Sequence, residues 1–258
     1  MKLSKVLFKI INNTAVITLN NPKTLNAWDN EMREKICSFI NNCKKNKSVK
    51  SIIITGSGSR GFCSGQDLNE LTKNINPTKW IYSFKKVYYA IRSLEKPVIA
   101  AVNGVAAGSG FQLALLADFI ITHKGAKFGQ VEINNGIASV TGPAIMNIFL
   151  GMSKTIELTL TGKLISGAQA NKIGFIYSLQ TQKKVFTESL RLAKQLEKKS
   201  SLAIALTKRN FWLMIKKDLD NAFYQAKKIH QINFKSKIPQ NLSKKFLPTS
   251  FSSYVCFQ

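Results

Sequence analysis

Residues 96–136 read KPVIAAVNGVAAGSGFQLALLADFIITHKGAKFGQVEINNG, and this stretch decides the fold. The apolar run at 98–102 predicts a buried strand, and three small residues, Gly108, Ser109 and Gly110, open the helix that follows. Small residues at a helix start let a ligand approach free backbone N–H groups, where the helix dipole also favours negative charge. The stretch therefore predicts a place where an oxyanion can be stabilised, although a tight strand-to-helix turn explains these residues taken alone.

A second strand-to-turn segment lies upstream. The run SIIIT at 51–55 predicts a buried strand, and residues 56–71 continue as GSGSRGFCSGQDLNEL, with a helix start at Asp67. Further along, FGQVE at 128–132 puts a carboxylate in a loop between predicted elements. Together the three segments resemble the crotonase (enoyl-CoA hydratase/isomerase) superfamily, in family order and at family spacing, over about residues 5–179.

The resemblance implies an α/β fold, the crotonase-like spiral of β-β-α units with a helical C-terminal region. Residues 1–180 would form the spiral core with the acyl-CoA site. Residues 181–258 would form a helical region for packing and oligomerisation, with a flexible end. A homotrimer or a homohexamer is implied as the assembly. The residues alone agree with this fold, because repeated strand-turn-helix units with apolar strands predict a largely parallel sheet covered by helices.

The resemblance also implies a site for an acyl-CoA thioester. In the superfamily the FCSGxDL and NGxxxGxGxxLxLxxD segments each supply one backbone N–H to the thioester oxygen; here these are the N–H groups of Gln66 and Ser109. Ser109 stands where the family usually has glycine. The family's catalytic Glu matches Glu132. The residues that the resemblance assigns to CoA or substrate binding are Lys23, Ala27, Ser64, Gln66, Asp67, Leu68 and Gly108. No separate cofactor is expected, because coenzyme A is part of the substrate.

Three carboxylates lie in the matching segments, and Glu132 is the expected proton carrier. Asp67 is interpreted as a helix N-cap. Asp118 follows an apolar helix and is interpreted as a residue that caps or orients buried backbone. Glu132 remains, at the position of the family's catalytic Glu; a carboxylate on a surface loop is the alternative interpretation.

Gln112 departs from the family pattern, since hydratases usually carry a second Glu at this position. An amide cannot exchange protons near neutral pH, although it can hold a water by hydrogen bonds. Hydration needs a proton for Cα and an activated water for Cβ, whereas a double-bond shift needs only one carboxylate. Glu132 with Gln112 therefore slightly favours isomerisation, and a hydratase in which Gln112 positions water is the alternative. The acid-free stretch INNGIASVTG at 133–142 argues against dienoyl-CoA and ring-opened aryl-CoA isomerases.

The charge balance is unusual. Lys and Arg number 38 against 13 Asp and Glu, which gives a net charge of +25. Such a balance can favour polyanionic partners, but the lysines are scattered over predicted polar faces and loops. We interpret the charge as compositional bias, and a non-catalytic acyl-CoA-binding protein and an RNA-binding relative remain the alternatives from other classes.

Cysteine and histidine positions suggest no further site. The cysteines at 37, 43, 63 and 256 lack metal-like or redox-like spacing, and we expect reduced thiols in a cytoplasmic protein. His123 and His230 lie too far apart to suggest a site, and His123 is expected to end a strand. No metal-ligand spacing appears, and no apolar run reaches the ~18 residues of a membrane helix.

The remaining pattern predicts an N-terminal hairpin and a series of helices. The hairpin strands are expected at 6–10 and 15–19, and a last strand at 173–179. The predicted helices are 29–43, 80–94, 144–150, 154–161, 186–198, 201–216 and 219–235. In the first, the spacing of Met32, Ile36 and Ile40 predicts one buried face. In the second, the aromatic residues at 80, 84 and 88 are spaced like core residues.

Overall fold

The computed structural model describes residues 4–71 and 76–246. The strands are β1 (Val6–Ile11), β2 (Thr14–Leu19), β3 (Ser51–Gly56), β4 (Gly61–Cys63), β5 (Val98–Ala101), β6 (Val105–Ala107), β7 (Phe119–His123), β8 (Lys127–Gly129), β9 (Ile165–Ser166) and β10 (Ser178–Gln180). The helices are α1 (Asn30–Lys45), α2 (Leu68–Leu71), α3 (Pro77–Arg92), α4 (Ser109–Leu115), α5 (Thr141–Thr161), α6 (Gly167–Ile173), α7 (Val185–Glu197), α8 (Ser201–Lys235) and α9 (Ile238–Phe246).

The larger sheet has six strands in the order β1-β2-β3-β5-β7-β10. Strands β1 and β2 are antiparallel, and the other neighbours pair in parallel. Asn12 adopts a left-handed conformation, φ 52°, at the turn of the β1–β2 hairpin, and asparagine tolerates this region well. The expected hairpin and the largely parallel sheet are confirmed.

The smaller sheet, together with the larger one, gives the chain its spiral path. Its order is β4-β6-β8-β9, and β4, β6 and β8 each follow a strand of the larger sheet directly in sequence. A long strand, a short strand and then a helical segment make one turn of the spiral, so the predicted β-β-α architecture is confirmed. The three-residue strands were not predicted, because so short a segment carries too little periodicity to detect.

The described residues form two hydrophobic clusters, and the larger one joins the sheets to most of the helices. The predicted apolar face of α1 is buried, with Met32 and Ile36 fully inaccessible. Phe84 of α3 packs in the same cluster as Phe223 of α8. The long C-terminal helix thus shares the core of the spiral, while the proposed division at residue 180 stays a prediction.

The C-terminal helices differ from the expected pattern. A single helix, α8, replaces the two expected at 201–216 and 219–235. The stretch between them is polar, KKDLD at 216–220, and in it Asp220 pairs with Lys216 one turn away at 2.6 Å and with Lys85 of α3 at 3.0 Å. These pairs hold the helix through this polar run.

Smaller differences concern single elements. Helix α5 spans both segments expected at 144–150 and 154–161, with a kink at Gly151. The last strand, β10, begins at Ser178 and not at residue 173, because α6 extends through Ile173. Helix α9 was not predicted. The expected flexible end, residues 247–258, lies outside the described residues.

Asp118 anchors the edge between α4 and β7. Its Oδ2 accepts from the N–H of Val98 at 2.7 Å and pairs with the Lys208 ammonium, and its Oδ1 lies 3.5 Å from Arg92 Nη1. The interpretation of Asp118 as a backbone-orienting carboxylate is confirmed. Lys208, only 7% exposed, is an exception to the expectation that lysines sit on polar surfaces.

Replacing Asp118 by Asn is expected to lower the free energy of unfolding by about 3–5 kcal/mol. The substitution leaves two cations, Lys208 and Arg92, in a buried environment without their counter-charge. Urea denaturation monitored by circular dichroism measures the change. The partly exposed ion pairs of Glu157 with Lys154 and Lys163 supply a control, since Glu157→Gln should change stability much less. Equal effects of the two substitutions would contradict the assignment.

No helix within residues 4–71 and 76–246 combines the length and the apolar character needed to cross a membrane.

Candidate active site

Two glycine turns bring the FCSGQDL and NGVAAGSG segments together. Gly65 has φ 100° and Gly108 has φ 54°, both in the region that favours glycine. A Cβ placed on Gly65 would lie 2.9 Å from the carbonyl oxygen of Ala107 and 3.5 Å from the N of Ser109. The two turns therefore pack backbone against backbone, which only a residue without a side chain permits.

The N–H groups of Gln66 and Ser109 both remain available at this contact. Ser109 is the first residue of α4, so its N–H has no acceptor within the helix. The N–H of Gln66 lies between two bridge bonds, from Trp28 N to Gly65 O and from Asp67 N to Trp28 O, and takes part in neither. Within the described residues, neither N–H has a protein acceptor.

Trp28 contacts Ser109 at the start of α4. Its indole Nε1–H donates to the Ser109 hydroxyl at 2.8 Å, and the Trp28 side chain is fully buried. The Ser109 side chain is therefore held by a buried indole, and its backbone N–H remains free. Serine in place of the family's usual glycine is accommodated here, because Ser109 has helical backbone geometry.

Glu132 lies against the same turn. It follows β8 and begins a short 3₁₀ segment, Glu132–Asn135. A Cβ on Gly108 would come within 3.2 Å of Glu132 Oε1. Oε1 accepts from Gln112 Nε2 at 3.0 Å, whereas Oε2 is buried and has no hydrogen-bond partner. One carboxylate oxygen is thus held, and the other is free to exchange a proton.

Burial raises the pKa of Glu132 to about 7. The hydrogen bond from Gln112 Nε2 to Oε1 partly offsets this rise. A carboxyl group whose pKa lies near neutrality can both take and return a proton, which suits a general acid/base.

Gln112 has a fixed amide orientation. Its Oε1 accepts from the hydroxyls of Tyr88 at 2.7 Å and Thr141 at 3.2 Å. Burial raises the pKa of Tyr88 well above its usual value, so this hydroxyl stays protonated. The amide therefore presents only its N–H groups to the site, one of which binds Glu132.

A cavity of about 80 Å³ connects these groups. The predicted residues that line it are Ser64, Gln66, Leu68, Gly108, Ser109, Gln112 and Glu132. Lys23, Ala27 and Asp67 do not line it, although the hydroxyl of Ser64 donates to the carbonyl of Thr24 beside Lys23. Asp67 accepts from the N–H of Asn69, as expected of an N-cap. Binding of CoA by Lys23, Ala27 and Asp67 stays a prediction.

Several residues that line the cavity were not predicted as site residues, among them Tyr88, Thr141 and His230. Tyr88 was interpreted as a core residue from its spacing with Trp80 and Phe84, and it is indeed buried. The same spacing aligns all three aromatic rings along the cavity. His123 ends β7 as expected and lies outside the cavity.

The cysteine next to the site is not suited to act as a nucleophile. Cys63, at the start of the SGQD turn, is fully buried, and burial raises the pKa of its thiol to about 12. A thiol that stays protonated is a poor nucleophile. Among residues 4–71 and 76–246, no group of three or more His, Cys, Asp or Glu side chains is placed to hold a metal ion.

Comparison with known proteins agrees with this arrangement. The spiral of paired sheets with two converging backbone turns defines a protein of the crotonase fold. An enoyl-CoA hydratase structure from Mycobacterium avium subsp. paratuberculosis superposes with a TM-score of 0.86 over 95% of this chain and 99% of that chain, at 22% identity. At this identity the likeness shows the fold alone.

Sequence relatives define the family. The model of the family described as enoyl-CoA hydratase/isomerase matches residues 9–250, and the chain belongs to this family. A probable mitochondrial enoyl-CoA hydratase of Dictyostelium discoideum is 35% identical over 75% of this chain and 70% of that protein. The 1,2-epoxyphenylacetyl-CoA isomerase of Escherichia coli is 32% identical over 75% of this chain and 76% of its own length.

Proposed function

We propose that the protein isomerises the double bond of an enoyl-CoA thioester, with Glu132 as the only acid/base. The observation that carries this proposal is the unpaired, buried Oε2 of Glu132 beside two free backbone N–H groups. In the proposed reaction Glu132 takes a proton from C2 of a 3-enoyl-CoA. The electron pair delocalises into a dienolate, whose thioester oxygen binds the N–H groups of Gln66 and Ser109. Glu132 then returns the proton to C4, which gives the 2-enoyl-CoA.

The locked amide of Gln112 favours isomerisation over hydration. With Oε1 occupied by two hydroxyl donors, Gln112 can donate to a water but cannot accept its proton. Glu132 would then have to activate the water and also protonate Cα. Hydration by a Gln112-positioned water is the second candidate, supported by relatives named enoyl-CoA hydratases.

Other features of the proposal concern its setting. The reaction needs no cofactor besides the CoA moiety of its substrate. We assign the protein to the cytoplasm, because Cys37, Cys43 and Cys63 are free thiols. A non-catalytic acyl-CoA-binding protein or an RNA-binding relative would fit the net charge of +25, but neither explains the raised pKa of Glu132.

Turnover of cis-3- and trans-2-enoyl-CoA by the wild-type protein tests the proposal. Isomerisation of the 3-enoyl substrate with little hydration of the 2-enoyl substrate is the expected result. Dominant hydration would show that Gln112 organises a water and would replace the isomerase proposal by the hydratase. Binding of both thioesters without turnover would support the non-catalytic alternative.

We also propose that the protein is a homo-oligomer, a trimer or a hexamer. Helix α5 exposes an apolar stripe, and the first half of α8 exposes a second. Their exposed apolar side chains are Ile148, Phe149, Met152, Ile156, Leu160, Leu202, Leu206, Phe211, Leu213 and Met214. Ile148, Phe149, Phe211 and Met214 line one groove, so the stripes adjoin there. A continuous apolar surface of this kind is typical of a subunit interface.

Replacing Met214 by Glu is expected to dissociate the oligomer, because the substitution puts a charge into the apolar groove. Light scattering coupled to gel filtration measures the mass, which should fall from a multiple to that of one chain. The control is Ile232→Glu, an exposed aliphatic position about 27 Å further along α8. A monomeric wild type, or dissociation by both substitutions, would contradict this interface.

A further inference from the structure

Asn233 of α8 binds a loop of the active-site cavity through both ends of its amide. Its Nδ2–H donates to the carbonyl oxygen of Gly136 at 3.0 Å, and its Oδ1 accepts from the N–H of Ala138 at 2.9 Å. Ala138 lines the cavity, and Asn233 stands behind it, outside the lining. Because the amide uses a donor and an acceptor on one backbone segment, it fixes both the position and the orientation of that segment.

The loop that Asn233 binds is joined to Glu132. Ile137, between the two contacts, donates its N–H to the carbonyl oxygen of Glu132 at 3.1 Å. Gly136 adopts a left-handed conformation, φ 66°, and ends the 3₁₀ segment that Glu132 begins. A displacement at Gly136 or Ala138 is therefore passed through one hydrogen bond and one short turn to the backbone that carries the Glu132 carboxyl group.

The C-terminal helices hold Asn233 and the loop in fixed positions. The next residue on α8, Phe234, is 6% exposed, and its ring centroid lies 5.3 Å from that of Trp80 on α3. Helix α9 packs against Gly136, where an added Cβ would lie 2.7 Å from Ile238 Cγ2. The end of α8 and the start of α9 therefore contact the loop together.

We propose that Asn233 is a positioning residue for the reaction, whose two hydrogen bonds hold the 136–138 loop so that the Glu132 carboxyl group stays buried beside the Gln66 and Ser109 N–H groups. The inference rests on the proposed function, because it takes Glu132 as the group that moves the proton. It also gives the C-terminal helical region a part in the active site, beyond the packing and oligomerisation that the sequence predicted for it.

The protonation of Glu132 depends on how well the loop excludes water. Tyr88 of α3 and His230 of α8 are the other titratable groups of the lining, which contains no Lys or Arg. Burial raises the pKa of Tyr88 well above its usual value and lowers that of His230 to about 4, so both are uncharged near pH 7. Arg33 and Glu70 pair with each other outside the lining. If water reaches the carboxyl group, its pKa should fall from about 7 toward the ordinary 4.5.

Replacing Asn233 by Leu tests the proposal, because it removes both hydrogen bonds at nearly constant volume. We expect kcat to fall about 10–10²-fold, as for a slightly misplaced catalytic group, with KM within about threefold of wild type. The midpoint of the acidic limb of kcat/KM should fall by about one pH unit. Carbon-13 NMR of the Glu132 carboxyl, identified by its absence from Glu132→Gln, measures the same midpoint without turnover.

The matched control is Asn221→Leu, the same change at an exposed position of α8, which should leave kcat and the midpoint unchanged. Asn233→Asp serves if Asn233→Leu does not fold. It keeps an acceptor for the N–H of Ala138 and loses the donor to Gly136, so kcat should be about fivefold or more below that of Asn221→Asp.

A purely structural role for Asn233 would lower the amount of folded protein and leave the Glu132 midpoint in place. An unchanged midpoint in folded Asn233→Leu would therefore overturn the proposal, as would equal kcat values for the Asn233 and Asn221 variants. Failure of the proposed function looks different, since wild-type protein would then turn over no enoyl-CoA while the NMR midpoint still falls in Asn233→Leu.

Discussion

Replacing Glu132 by Gln is expected to lower kcat on an enoyl-CoA by about 10²–10⁴-fold, the range attributed to a positioned acid/base. Gln keeps the volume of the side chain and can still accept from Gln112, but it cannot exchange a proton. The affinity for the thioester should change little, since the free N–H groups of Gln66 and Ser109 are untouched. Steady-state kinetics with the preferred substrate, together with calorimetric binding of a saturated acyl-CoA, measure the two effects separately.

Glu157→Gln is the matched control for this substitution. It makes the same chemical change on the exposed side of α5, where Glu157 pairs only with lysines, and it should retain wild-type kcat. Activity of Glu132→Gln within a few-fold of wild type would show that another group moves the proton. The thioester-binding role of the site would then be the part of the proposal that survives.

The raised pKa of Glu132 gives this prediction a pH dependence. The carboxylate is the base, and its pKa of about 7 means that kcat/KM should fall tenfold per unit as the pH drops below 7. The effect on stability has the opposite sign. A carboxyl whose folded pKa exceeds its unfolded value favours the folded state at low pH, and this contribution is lost as the pH rises through 7. Above that pH Glu132→Gln should be at least as stable as wild type.

The sequence predicted the residues of the site that stand in motifs, and it did not predict the residues that support them. Gln66, Ser109, Gln112 and Glu132 stand in motifs of fixed spacing, and the structure brings all four to one cavity. Their convergence depends on backbone packing at Gly65, where short-range pattern and tertiary structure agree. For these residues the family resemblance that the motifs carry was sufficient to predict the position, and their roles stay predictions.

The supporting residues could not be predicted in this way. Tyr88 and Thr141 fix the Gln112 amide from two different helices, 24 and 29 residues away from it in sequence. Their hydroxyls meet only after α3 and α5 have packed around α4. Aromatic spacing on α3 correctly indicated a buried face, but a buried tyrosine at such a position serves packing and hydrogen bonding together. The spacing of apolar residues predicts only that such a side chain packs in the core, and not the hydrogen bond that it makes.

Long-range ion pairs explain the other differences. Lys208 was expected on the surface because lysine is rarely buried, yet Asp118, 90 residues away, draws it into the protein. Separate helices were predicted at 201–216 and 219–235, yet Lys85 binds Asp220 from a different helix and the chain continues as one helix. In both cases the partner is distant in sequence, so no local pattern carries the information.

Replacing Ser109 by Pro is expected to reduce kcat/KM by about 10²–10³-fold, the effect of removing one oxyanion donor. Proline lacks the backbone N–H, and it is well tolerated at the first position of a helix, which Ser109 occupies in α4. The ring also fills the place where the N–H would meet the thioester oxygen. Kinetics on the same enoyl-CoA, with a thermal melt to confirm folding, measure the loss.

Ser109→Ala separates the backbone from the side chain at this position. Alanine keeps the N–H and loses only the hydroxyl that accepts from Trp28 Nε1. The buried indole would then lack its partner, which should cost about 1–3 kcal/mol of stability with at most about a tenfold loss of kcat/KM. If the backbone N–H binds the enolate oxygen, the proline variant must be much less active than the alanine variant when both are folded. Equal activities would mean that the hydroxyl, and not the backbone, supports the reaction, and the two-donor arrangement with Gln66 would be wrong.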